Sequence, residues 1–179
     1  DLNRATGIWL GEVVHFVKVV ESAGLQVDYA SPEGGYTPID PKSLEGDNAT
    51  EWEWYHNKTF MNRLGSTLRA DTINSDDYSA IYFVGGHGVL WDFPDNKRLQ
   101  DISKQIYESG GVVSGVCHGV VGLLNIKLSD GSLLVAGKRV TGFSNDEEQA
   151  IDMVKHVPFL PENELVARGA KYEKGSSWE

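Results

Sequence analysis

Val112-Val113-Ser114-Gly115-Val116-Cys117-His118-Gly119 is the stretch on which the reading of this chain turns. Its first five residues form a mostly apolar run, as expected of a parallel strand buried on both faces. The rest places the chain's one cysteine between glycines, Gly-x-Cys-x-Gly, where a strand gives way to a helix. That spacing is a nucleophile elbow: a sharp turn lifts the reactive side chain clear of the sheet, and the glycines leave room for neighbouring chain and substrate. The helix that follows presents unpaired N–H groups and a partial positive charge, so a thiolate at Cys117 is expected. A cysteine at the end of a core strand is otherwise a small buried hydrophobe. Its coincidence with the elbow favours the nucleophile.

Working outward, Ala80-Ile81-Tyr82-Phe83-Val84 is a second buried strand, broken by Gly85-Gly86-His87-Gly88. Consecutive glycines let backbone N–H groups approach a ligand, as an oxyanion site needs, or simply make a flexible turn. Two glycine-rich turns at the C-terminal ends of parallel strands converge at the usual ligand crevice of such sheets. Helices are expected over 7–24, where Ile8, Val13, Phe16, Val17 and Val20 follow one face, and over 57–69, 95–109 and 118–125. Short strands are expected at Leu25–Ala30, Leu133–Val135 and Arg139–Gly142. Residues 36–56, with two tryptophans, many acids and no clear period, read as a long surface excursion bordering the site. The alternation gives an α/β domain spanning 1–179, with a mainly parallel sheet, right-handed crossovers and no internal repeat.

Composition removes several function classes. Sixteen Lys and Arg against 26 Asp and Glu give a net charge of −10 in 179 residues. Such a surface repels a phosphate backbone, so neither a nucleic acid nor an anionic membrane is an expected partner. A lone cysteine forms no internal disulfide, and neither a membrane-length apolar run nor a signal-peptide pattern is present, so a cytoplasmic location is expected. His15, His56, His87, His118 and His156 have no ligand-like spacing, so no metal is expected. His15 lies among apolar residues and reads as partly buried. His156 follows the cysteine and is a triad base by chain order alone. On pattern alone, Glu12 reads as solvent-facing and Glu147-Glu148 as the acidic first turn of a helix.

Thr6-Gly7-Ile8-Trp9-Leu10-Gly11-Glu12, Ala30-Ser31-Pro32-Glu33-Gly34-Gly35, Gly85-Gly86-His87-Gly88 with Trp91-Asp92-Phe93-Pro94, Val116-Cys117-His118-Gly119 and Thr141-Gly142-Phe143-Ser144 occur in that order. Together they resemble the ThiJ/PfpI (DJ-one) superfamily, in its branch of heat-shock chaperones and glutathione-independent glyoxalases (glyoxalase III). The resemblance covers nearly the whole chain. It implies a flavodoxin-like three-layer fold, a homodimer, a first strand before Asp1, and a closing strand and helix after Glu179. It implies a catalytic set of Cys117, His118 and a downstream acid, Glu148, with Glu147 one step away. It implies that Glu12 contacts the thiol, and that Gly86 and His118 supply oxyanion N–H groups. This replaces the solvent-facing reading of both acids and leads to the expectation of a neutral Glu12 donating to a Cys117 thiolate. Val120 stands where the family often has proline.

The activity implied is cofactor-independent conversion of a small 2-oxoaldehyde such as methylglyoxal into a 2-hydroxy acid. The alternatives are a holdase chaperone or redox sensor using an oxidisable Cys117, or a cysteine peptidase, amidase or deglycase on the same site.

Overall fold

The computed structural model describes residues 4–46 and 48–178. In chain order its elements are α1 (Leu10–Ser22), β1 (Ala30–Ser31), α2 (Ala49–Tyr55), α3 (Lys58–Gly65), β2 (Leu68–Arg69) and β3 (Ala80–Phe83). Then come α4 (Val89–Asp92), α5 (Lys97–Glu108), β4 (Val112–Gly115), β5 (Arg139–Val140), α6 (Asn145–Ala150), α7 (Pro161–Ala167) and β6 (Lys171–Tyr172). The strands pair as β1 with β2, β3 with β4 and β5 with β6, every pair parallel.

The period of two along β3 explains the layers. Ile81 and Phe83 pack towards Leu99, Ile102 and Ile106 of α5. Tyr82 and Val84 point the other way: Tyr82 stacks on Phe16 of α1 with ring centroids 3.8 Å apart, and Val84 joins the cluster of Leu10, Val13, Val14 and Val17. Helices therefore pack against both faces of β3, but the pair is less buried than its apolar runs predict: only Phe83 is buried, Ala80 and Val112 are exposed, and the other residues are half-buried. Ala80 sits opposite Val112 and Phe83 opposite Gly115, so both glycine-rich turns leave the pair at the same end. Beneath the elbow, Val120, Val121 and Leu124 pack with Val135 and Leu165.

Several sequence expectations need correcting. Residues 25–29 belong to no helix or strand, and ladder pairing is confined to Ala30–Ser31, beside Leu68–Arg69. The helix expected to reach residue 69 ends at Gly65, and Leu68–Arg69 turn into β2 instead. After the elbow comes a seven-residue 3₁₀ segment, Cys117–Leu123, rather than an α-helix. Leu133 makes only an isolated bridge to Lys127 before a turn, and the next strand is limited to Arg139–Val140.

Residues 36–46 and 48–56 carry more regular structure than the composition suggests. Asp40 is fully buried and caps a 3₁₀ turn over Pro41–Leu44, accepting from Lys42 N–H at 2.9 Å. Asn48 caps α2, which buries no residue and so shows no apolar stripe to read. Residues 38–40 flank Ile8: Ile8 N–H donates to Pro38 O and Asp40 N–H to Ile8 O, each at 2.9 Å. Trp9 N–H in turn donates to Gly85 O at 3.0 Å, so the excursion reaches the glycine turn at one remove.

Candidate active site

The elbow is held by its backbone. Val116 N–H donates to Phe83 O at 3.1 Å, and Gly119 N–H closes the turn on Val116 O at 2.7 Å. Cys117 between them has φ +53°, a left-handed conformation costing a side-chain-bearing residue about 1 kcal/mol or more. A Cβ at Gly119 would run into the Phe83 carbonyl, so only glycine lets the elbow pass this close to β3.

On one side of the thiol stands His118, buried, with Nδ1 3.3 Å from Cys117 Sγ and Nε2 2.7 Å from Glu148 Oε2. Glu148 has no exposed surface. Its inward aim follows from the start of α6. Ser144 caps the helix by accepting from Glu147 N–H at 3.2 Å, and Glu147 Oε2 accepts from Ser144 N–H at 2.8 Å. Glu147 is thus occupied at the cap, and the next residue along the helix faces the histidine.

Glu148 carries a second imidazole: His87 Nε2 lies 2.8 Å from its Oε1. Burial works to raise the Glu148 pKa, but the hydrogen bonds from His118 and His87 outweigh it and bring it down to about 2. The carboxylate is therefore an anion at neutral pH, accepting one N–H on each oxygen. Burial lowers the His118 pKa, so this ring is neutral, and its Nδ1 lone pair faces the thiol. Phe143 stacks on His118 at 4.3 Å, and its N–H reaches Cys117 O at 3.2 Å.

On the other side stands Glu12, in the first turn of α1. Its Oε2 accepts from Gly85 N–H at 2.6 Å, and its carboxyl is hydrogen-bonded to the Cys117 thiol. A Cβ on Gly85 would sit 2.7 Å from Glu12 Oε2 and 2.8 Å from Cys117 Cβ, so a side chain there would displace the acid. Burial raises the Glu12 pKa to about 7 against the lowering effect of those two hydrogen bonds.

The expected resting thiolate is overturned. Burial, then the charge of Glu12, pushes the Cys117 thiol well up, although the N–H groups of His118 and Gly86 act in the opposite direction. The 3₁₀ segment does not compensate for desolvation. The site holds a thiol between two proton acceptors, His118 Nδ1 and Glu12.

The structure thus brings Cys117, His118, Glu12, Glu148 and the Gly86 N–H together, and places Glu147 at the helix cap. His156 is exposed, and the imidazole beside the sulfur is His118. His15 is exposed rather than partly buried, 3.4 Å from Glu51. His87, weighed from sequence only as a metal candidate, is a member of the site through its contact with Glu148, which no local pattern signals. His87, His118 and Glu148 also have the donor types of a metal site, their ligand atoms lying within 4.8 Å of one another. Two short N–H to carboxylate bonds account for that proximity.

A model of the DJ-1/PfpI family matches residues 5–166. The chain belongs to the DJ-1/PfpI family. It is 35% identical over 178 residues to the glutathione-independent glyoxalase HSP31 of Saccharomyces cerevisiae, covering 93% of this chain and 74% of that protein. Among solved structures it is similar to the Rapid Encystment Protein 24 kDa of Francisella tularensis, with a TM-score of 0.96, 36% identity and coverage of 100% and 80% of the two chains. It is also similar to glyoxalase III of Candida albicans, with a TM-score of 0.87, 30% identity and coverage of 96% and 75%. The fold is the flavodoxin-like α/β arrangement of this family, with an elbow cysteine. No helix among the described residues is long and apolar enough to cross a membrane.

Proposed function

We propose that this family member is a glutathione-independent glyoxalase, converting methylglyoxal or a similar 2-oxoaldehyde to the 2-hydroxy acid. The observation that carries this reading is the placement of one thiol between a neutral imidazole and a carboxyl whose pKa is about 7. A proton shuttle between adjacent carbons needs a group that takes and returns a proton near neutral pH. Glu12 has that property.

In the proposed sequence the thiol proton passes to His118 Nδ1 as sulfur adds to the aldehyde carbon. The N–H groups of Gly86 and His118, which face the sulfur, stabilise the oxyanion until His118 returns the proton, giving a hemithioacetal. Glu148 stabilises the transient imidazolium and holds the ring's tautomer. Glu12 carboxylate removes the proton from C1 to form an enediol(ate), and Glu12–H delivers it to C2. Water then cleaves the resulting thioester, releasing lactate and the free thiol, so that methylglyoxal plus water gives lactic acid with no net redox change. No cofactor enters the scheme.

Incubation with methylglyoxal without glutathione, followed by assay of lactate, tests the proposal. Lactate is expected from the wild type and none above background from Cys117→Ala. Lactate formation surviving that change contradicts the mechanism, and absence from both contradicts the activity. The raised thiol pKa weighs against a resting redox sensor, since the thiolate is the form that oxidises. We further infer a homodimer in a reducing, cytoplasmic setting, supported by the family resemblance and the lone cysteine; light scattering in solution tests the former.

A further inference from the structure

We propose that His87 is a positioning residue of this site, acting through Glu148 to hold His118 as a neutral base. The claim rests on what one tetrapeptide touches. Gly85 N–H holds Glu12, Gly86 N–H faces the Cys117 sulfur, and the His87 side chain holds Glu148. A single turn after β3 thus reaches every reacting or supporting group of the site. His87 is itself buried, and its ring centroid lies 4.2 Å from that of His118.

The consequence follows from sharing one charge between two donors. A carboxylate accepting only the His118 N–H would concentrate its stabilisation there and make His118 more basic. With His87 on the other oxygen, Glu148 is a weaker partner for an imidazolium, so His118 keeps its Nδ1 free at neutral pH and returns its proton readily. The carboxylate, fixed at both oxygens, also cannot rotate away. The titratable groups around His118 are Cys117 on the elbow, Glu147 and Glu148 on α6, and His87 on the β3 turn, with Glu12 reaching it through the thiol. Of these, His87 is the donor whose removal leaves a buried oxygen of Glu148 unsatisfied.

The role depends on the glyoxalase reading only for its turnover arm. The test follows pH profiles of Cys117 alkylation by iodoacetamide and of lactate formation in wild type, His87→Phe and His87→Gln. Losing a hydrogen bond to a charged group should lower turnover of His87→Phe about 10- to 100-fold. Its acid limb for alkylation, a step that does not need Glu12 as a base, should move to higher pH, because a more basic His118 must lose its proton before accepting one from the thiol. His87→Gln keeps an N–H at similar reach and should recover most of the loss. In wild type, imidazole ¹⁵N-edited NMR should give two downfield N–H protons, one lost in His87→Gln and the other in His118→Gln. This measurement decides the matter if His87→Phe does not fold. An alkylation acid limb unmoved in His87→Phe, a His87→Gln protein as impaired as His87→Phe, or a single downfield proton in wild type overturns the proposal. Shifted alkylation profiles without lactate from the wild type would sink the glyoxalase reading and leave the role of His87 standing.

Discussion

Glu12 and Glu148 approach the same elbow from opposite sides, each from the first turn of a helix, and their environments drive them apart. Burial raises Glu12 to about 7, opposed only by one backbone N–H and a thiol. Burial acts on Glu148 as well, yet two imidazoles bring it down to about 2. Position at a helix start therefore does not assign an acid its role; the donors that reach it do. One acid is left able to exchange a proton, and the other is locked as an anion to orient a base, a division seen whenever one site needs both functions.

The largest expected effect comes from removing the locked charge. Glu148→Gln keeps the shape but presents an amide to two N–H donors, leaving His118 free to adopt the other tautomer. Turnover should fall roughly 10³- to 10⁴-fold, as for loss of the orienting acid in a serine-protease triad. A loss under tenfold, measured as lactate formation, would mean that Glu148 does not orient His118.

Glu12→Gln breaks the other half. It retains an N–H donor towards the sulfur but cannot accept a proton, so turnover should fall about 10²- to 10⁴-fold while iodoacetamide still modifies Cys117. In wild type, kcat/KM should rise with pH through about 7, as Glu12 loses its proton and becomes a base, and Glu12→Gln should lack that limb. Equal turnover in the two proteins would pass the enediol(ate) step to His118.

The smallest effect is expected at the ring above the imidazole. Phe143→Leu removes an aromatic contact worth about 1 kcal/mol, so turnover should drop roughly threefold to tenfold without any shift in the pH profile. A shifted profile would show that Phe143 tunes His118 rather than merely supporting it.

Much of this site was legible in the chain because backbone constraints write themselves into sequence. An elbow needs glycine at 119 to pass Phe83, and packing against helices on both sides of β3 turns 80–84 into an apolar run, whereas Val112 of the other run is exposed. The layering of α1 and α5 about β3 followed. What pattern could not show was contact between distant residues: Glu12 lies 105 positions from Cys117 and reads as a helix-surface acid until the family resemblance assigns it. Local cues had no means of separating Glu147 from Glu148, since the choice depends on which carboxylate closes the Ser144 cap. No local pattern signals the contact of His87 with Glu148. The thiolate expectation failed because helix-start electrostatics can be guessed from order along the chain, whereas desolvation depends on the packing around the sulfur.

The protonation of the two acids is open to direct observation. Carboxyl ¹³C NMR on protein labelled at the glutamate side chains, titrated from pH 3 to 9, should show one resonance with a midpoint near 7 that disappears in Glu12→Gln. It should show another that stays ionised throughout and disappears in Glu148→Gln. A Glu12 midpoint below 5, or a Glu148 resonance that titrates within that range while the protein remains folded, would contradict the division of roles on which the account rests.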